Sequence, residues 1–156
     1  DRNGALASPT HDKRALSRAV QMMWSRNYVG IPYLRAGRSI SGTDCYGLLW
    51  LIYRDVLNIT LASYATETID AAERQEVADL IADRAKSPWL TLEPGFEREF
   101  DMVVFRRAGI ESHIGVVVDP GRMLHIVDGG ESHIETFVSG RWKTKLIAVH
   151  RHEASK

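Results

Sequence analysis

The hydrophobic period changes at Asp101, and this limits the fold of the 156-residue chain more than any other feature. Before Asp101 the apolar residues recur at helical spacing. Leu16, Val20, Met23 and Trp24 mark a helix running to about Arg26, which Thr10 or Asp12 can cap. Leu48, Leu49, Ile52, Tyr53 and Val56 trace one face of a second helix, starting at Thr43 or Asp44 and ending near Leu57. A third spans about Ile69 to Lys86, with Val77, Leu80 and Ile81 inward and Pro88 closing it. Between the first two lies a turn-rich stretch, Tyr28 to Gly37. After Asp101 the segments Met102–Arg106, His113–Val118, Met123–Val127, Ile134–Val138 and Lys145–Arg151 are short, Val/Ile-rich and divided by turn signals. Helices first and strands second predicts an α+β domain with an antiparallel sheet of about five strands.

The length suits one core, so residues 10–156 are expected to form a single domain preceded by a small, polar arm at 1–9. A hydrophobic fraction of 44% and a charged fraction of 26% are ordinary for a soluble globular protein. Zero net charge gives no nucleic-acid footprint and no electrostatic hold on a membrane. No apolar run approaches the roughly 18 residues that span a bilayer. The first residues lack the layout of a signal peptide, and the chain opens on Asp1 rather than Met, leaving room for a segment upstream.

Cys45 is the only cysteine, which excludes an internal disulfide and a thiolate-rich metal site. It is either a small buried residue or a nucleophile. Its place after the expected cap Thr43 puts it in the first turn of the second helix, where the helix dipole lowers a thiol pKa from its free value of about 8.5. The candidate bases are His113, opening one strand, and His125, on the returning strand. A strict two-residue Pro120-Gly121 loop pairs 119 with 122 and puts the two imidazoles on opposite faces; a three-residue loop pairs 118 with 122 and puts them on one face. Gly121 permits the positive φ of the longer loop, and a shared face is the expectation. Each histidine taken alone reads as an ordinary sheet or core residue. His11, His133, His150 and His152 read as surface residues, and the irregular histidine spacing argues against a metal site.

Taken together, Tyr28-Val29-Gly30-Ile31-Pro32-Tyr33, Gly42-Thr43-Asp44-Cys45-Tyr46-Gly47-Leu48, Asp101-Met102-Val103-Val104-Phe105, His113-Ile114-Gly115-Val116 and Met123-Leu124-His125 resemble the NlpC-type cell-wall cysteine peptidases, a papain-like family. The resemblance covers most of residues 28–127, in the family's order. It implies a papain-like fold, with Cys45 as nucleophile, His113 as general base and His125 as the residue that orients the base. It further implies that Tyr33 lines the site and assists the oxyanion, and that Asp44 recognises a free amino group on the substrate. No metal or organic cofactor is implied. The implied substrate is the peptidoglycan stem peptide, cut between D-γ-glutamyl and the diamino acid.

Two positions depart from the family pattern. Tyr46 stands where most cell-wall members have serine, and resembles the subgroup carried on phage tails and phage-derived particles. Phe100-Asp101 stands where the strand usually begins Gly-Asp. The first departure implies phage-tail or phage-like particle proteins as partners, and a location in a virion or tail-like particle, or delivery to the bacterial periplasm and cell wall. A tail-tip structural protein, an amidase or acyltransferase with the same Cys-His site, and a toxin-like effector are the alternatives.

Overall fold

A computed structural model of the protein describes residues 24–63, 88–107 and 111–155. The arm at 1–9, the helix expected at about 69–86 and all of the first helix except Trp24–Arg26, which are helical, lie outside the described residues.

A small hairpin, β1 (Arg38–Ser39) and β2 (Gly42–Thr43), leads into helix α1, Cys45–Ile52. The helix continues as a π-helical turn, Tyr53–Leu57, and stops at Asn58 in the left-handed conformation, so the expected end near Leu57 is correct. Its N-cap is Asp44 rather than Thr43: the Asp44 carboxylate accepts the Gly47 N–H at 2.7 Å, satisfying one amide of the first turn.

The sheet has six strands, one more than about five expected, all paired antiparallel. They are β3 (Trp89–Leu92), β4 (Met102–Arg107), β5 (Glu111–Asp119), β6 (Arg122–His125), β7 (His133–Thr136) and β8 (Leu146–His152), in the order β3-β8-β4-β5-β6-β7. The sixth is β3, four residues between Pro88 and a turn, too short for alternation to reveal. It covers the outer side of β8, making β8 an interior strand. This corrects the surface assignment of two histidines. His150 is buried with its ring facing the Thr91 hydroxyl at 3.2 Å, and His152 is buried between the Tyr53 and Trp89 rings.

Alternation divides the buried apolar residues into two clusters. The larger joins Leu48, Leu49 and Ile52 of α1 to Ile114, Val116 and Val118 of β5 and to Leu124 and Ile126. The smaller holds Val103, Phe105, Val117, Met123, Phe137, Trp142 and Val149. Phe100, at the position where the family pattern has glycine, adopts φ +72°. A side chain there costs about 1–2 kcal/mol, and three contacts hold it: its N–H on Val117 O at 2.8 Å, the Tyr53 hydroxyl on its carbonyl, and its ring 4.7 Å from Trp24. Asp101 beside it is fully buried and takes Arg151 in a two-pronged pair at 2.8 and 2.9 Å.

Candidate active site

Cys45 is the first residue of α1 and is partly buried at the rim of the larger cluster. Its N–H belongs to the helix's N-terminal turn, where backbone donors and the dipole favour an anion. The local sequence holds this end firmly. Asp44 Oδ1 takes Gly47 N–H and Arg38 Nη1 at 2.9 Å, and Oδ2 takes Ala36 N–H at 2.9 Å. A Cβ on Gly47 would lie 2.2 Å from Gly37 O, so only glycine lets the helix approach the β1 segment this closely. Recognition of a substrate amino group by Asp44, implied by the resemblance, has to compete with Arg38 for the same carboxylate. Tyr46 is buried; its hydroxyl donates to Ala62 O at 2.7 Å and pins the chain beyond the helix.

Tyr33 bridges to Thr43 and donates its N–H to Gly130 O at 3.0 Å, which places it between the strand before Cys45 and the β6–β7 connection. Burial first, then the charges of Cys45 and Asp44, push its phenol up to about 12. It therefore stays a hydroxyl, a group able to donate to a developing oxyanion.

The two histidines meet. His113 Nε2 lies 2.8 Å from His125 Nδ1, with both residues buried and the rings edge-on at 5.0 Å. The shared face is as expected, but the loop that produces it is not. Asp119 pairs with Arg122 across a two-residue Pro120-Gly121 turn, with Gly121 at φ +86°, and the register shifts between Val117 and Asp119. Val118 is a surplus residue, a bulge, and restores the common face that the short turn alone would remove. The physical reason is twist: a Pro-Gly turn of this type splays the strands, and a bulge adds the right-handed twist that brings them back.

Residues that sequence reading did not single out complete the site. A 3-10 turn, Gly140–Lys145, carries Trp142, whose ring stacks on His113 at 4.8 Å and 22°. His125 Nε2 lies 2.7 Å from Glu135 Oε2, and Trp142 Nε1 donates to the same oxygen at 2.8 Å. Arg141 donates to Glu135 at 3.0 and 3.1 Å, and half-exposed His133 approaches it at 3.3 Å. Burial lowers the His125 pKa to about 4, against the opposing pull of Glu135. Ligand atoms of His125, His133 and Glu135 lie within 4.8 Å of one another, close enough for a metal ion. The Arg141 guanidinium on the same carboxylate opposes a second cation, and hydrogen bonding already accounts for the cluster. The only sequence signal for Glu135 is its parity with Met123, its partner across β6–β7.

Helix α1, with Cys45 at its head, packs on β5, which carries His113. The helix meets Ile114, Val116 and Val118, while His113 occupies an alternate position of the same strand. A buried, hydrogen-bonded imidazole pair is suited to proton transfer.

Known proteins resemble this chain. The NlpC/P60 family profile matches residues 30–151. A γ-DL-glutamyl hydrolase of Bacillus subtilis (strain 168) is 26% identical over 133 residues, covering 83% of this chain and 28% of that protein. A lipoprotein-like NLP/P60 family protein of Staphylococcus aureus subsp. aureus Mu50 superposes with a TM-score of 0.59 at 20% identity, over 97% of this chain and 44% of that one. An NlpC/P60 family protein of Bacillus cereus ATCC 10987 gives 0.61 at 17%, over 86% and 40%. The NlpC/p60 domain of the peptidoglycan hydrolase SagA gives 0.52 at 16%, over 76% and 88%. These likenesses show a shared fold. The chain spans under a third of its B. subtilis relative and under half of the first two structures.

Proposed function

The chain belongs to the NlpC/P60 family, and on that premise we propose that it is a cysteine peptidase of peptidoglycan stem peptides, with Cys45 as nucleophile, His113 as base and His125 orienting the base. The observation that carries this reading is the buried hydrogen bond between His113 and His125. Two imidazoles desolvated on one another are costly for stability alone and useful for moving a proton.

In the proposed reaction the Cys45 thiol proton passes to His113, and Sγ attacks the amide carbon. The oxyanion is met by the Cys45 N–H and the Tyr33 hydroxyl. His113 then returns its proton to the leaving amine, forming a thioester. Water, deprotonated by His113, displaces Sγ and releases the acid.

The bond we assign is D-γ-glutamyl to the diamino acid. The name of the B. subtilis relative, a γ-DL-glutamyl hydrolase, supports a γ-glutamyl substrate, and the SagA domain, from a peptidoglycan hydrolase, supports the wall as its setting. The proposal that the domain acts from a phage-tail or phage-derived particle, reaching the wall from outside or through the periplasm, rests on Tyr46 in place of serine. The test is digestion of purified sacculi by the protein and by Cys45→Ala, with mass analysis of the soluble products. Fragments bearing a new amino group on the diamino acid, absent with Cys45→Ala, are expected. No release by the parent protein, or equal release by Cys45→Ala, overturns the reading; cleavage at another amide overturns the bond assignment.

A further inference from the structure

We propose that Glu135 is a fourth member of this site, a positioning residue that dictates which nitrogen of each histidine carries a proton. It thereby leaves Nδ1 of His113 as the nitrogen that accepts the thiol proton. The inference rests on the assignment of His113 as base to Cys45.

The argument runs through donors and acceptors. Trp142 Nε1–H and the Arg141 N–H groups have no acceptor to offer, so the Glu135 oxygens they meet must both accept. Three N–H donors on two oxygens suit the ionised carboxylate. Burial pushes its pKa up, but the bonds from Arg141, Trp142 and His125 outweigh it and hold the group at about 2. An ionised carboxylate cannot donate, so His125 Nε2, 2.7 Å from Oε2, carries a hydrogen. His125 is neutral at pH 7 and has only one such hydrogen, which leaves Nδ1 as a lone pair. His113 Nε2, 2.8 Å away, must then be the donor. A neutral His113 with its hydrogen on Nε2 has a bare Nδ1. When that nitrogen takes the thiol proton, a thiolate and an imidazolium result. The imidazolium keeps its Nε2–H on His125, with the Glu135 charge one ring beyond.

Among the described residues, several charged and aromatic groups face the relay. Glu135 faces His125 from β6, His133 on its own strand, and Arg141 and Trp142 from the 3-10 turn. His125 also meets the His133 ring at 4.5 Å. The Phe105 and Trp142 rings flank His113, with Lys145 Nζ 5.4 Å over Trp142. Tyr33 and the Asp44–Arg38 pair flank Cys45.

Two measurements decide it. Nitrogen NMR of the histidines at pH 7 should show the Nε2–H form at both His125 and His113; an Nδ1–H form at His125 overturns the proposal without any variant. Iodoacetamide alkylation of Cys45 across pH should show a reactive thiolate below neutrality in the parent. In Glu135→Gln, the rate at pH 6–7 should fall about tenfold, and the main rise should move toward the free-thiol value of about 8.5. Superposed profiles for parent and folded variant overturn the proposal, and if the variant does not fold the NMR result stands as the test. Alkylation needs no peptidoglycan. A Glu135-dependent profile without wall cleavage therefore removes the substrate reading alone, while a parent thiol that titrates near 8.5 removes the base assignment on which this inference depends.

Discussion

The two apolar clusters share strands but not character. Ile114, Val116 and Val118 of β5 meet Leu48, Leu49 and Ile52 of α1 in the larger one, an apolar interior whose losses are losses of contact. His113 and Val117, on the alternate positions of the same strand, border the smaller one, where Phe105 and Trp142 flank a hydrogen-bonded His113–His125–Glu135 chain. One face is apolar where β5 meets α1 and the other carries the histidine chain, with neighbouring residues on a single strand serving each, while Cys45 sits at the rim of the apolar one. A substitution should therefore damage one of stability and turnover much more than the other, according to its parity.

The sharpest break of this comparison is His113→Ala, expected to lower kcat on sacculi by a factor on the order of 10³ or more while the protein still melts cooperatively by circular dichroism. A collapse of the fold would mean that the chemical face is structural after all. Its counterpart is Leu49→Ala, fully buried in the larger cluster. It should cost about 2–5 kcal/mol in urea unfolding and leave turnover per folded molecule unchanged. Acid should act on the histidine face. His125 has a folded pKa of about 4, against 6.5 as its ordinary value, so the unfolded chain binds its proton first. Stability from this residue is complete above about pH 6.5 and falls as pH drops toward 4, by on the order of 3 kcal/mol. Denaturation midpoints measured across that range check it, and His125→Asn should flatten the slope. Smallest is Gly121→Ala, at φ +86° with Val138 3.1 Å from the added Cβ. A loss of about 1–2 kcal/mol without a change in the Cys45 alkylation profile would show that the turn serves packing once the strands are in register.

How much of this was legible in the sequence follows the range of the signal. Cys45, His113 and His125 stand out because each sits in a short phrase whose order is recognisable, and the helix from Cys45 to Leu57 because its apolar face is periodic. Glu135 and Trp142 had no such signal. They reach the histidines through β6–β7 pairing and a 3-10 turn, and nothing local to either residue marks that meeting. The burial of His150 and His152 was missed for a related reason: it depends on β3, whose four residues carry too little pattern to be seen. The left-handed Phe100 is a third case, since a bulky residue gives no warning of a conformation that suits glycine.

The surplus residue at Val118 also links chain length to backbone shape. Residues that face the same way across a regular two-residue hairpin are separated by an odd number of positions, whereas His113 and His125 are separated by 12. An even count is compatible with a shared face only if the ladder carries one unmatched residue or the loop gains a third. A related chain with one residue fewer between its two histidines and a two-residue turn should have an unbroken hairpin, and one with the same count and the same short turn should keep an irregularity, wherever along the two strands it falls. Counting the interval between the histidines, together with the length of the turn, thus forecasts a kink in the main chain before any coordinates are known.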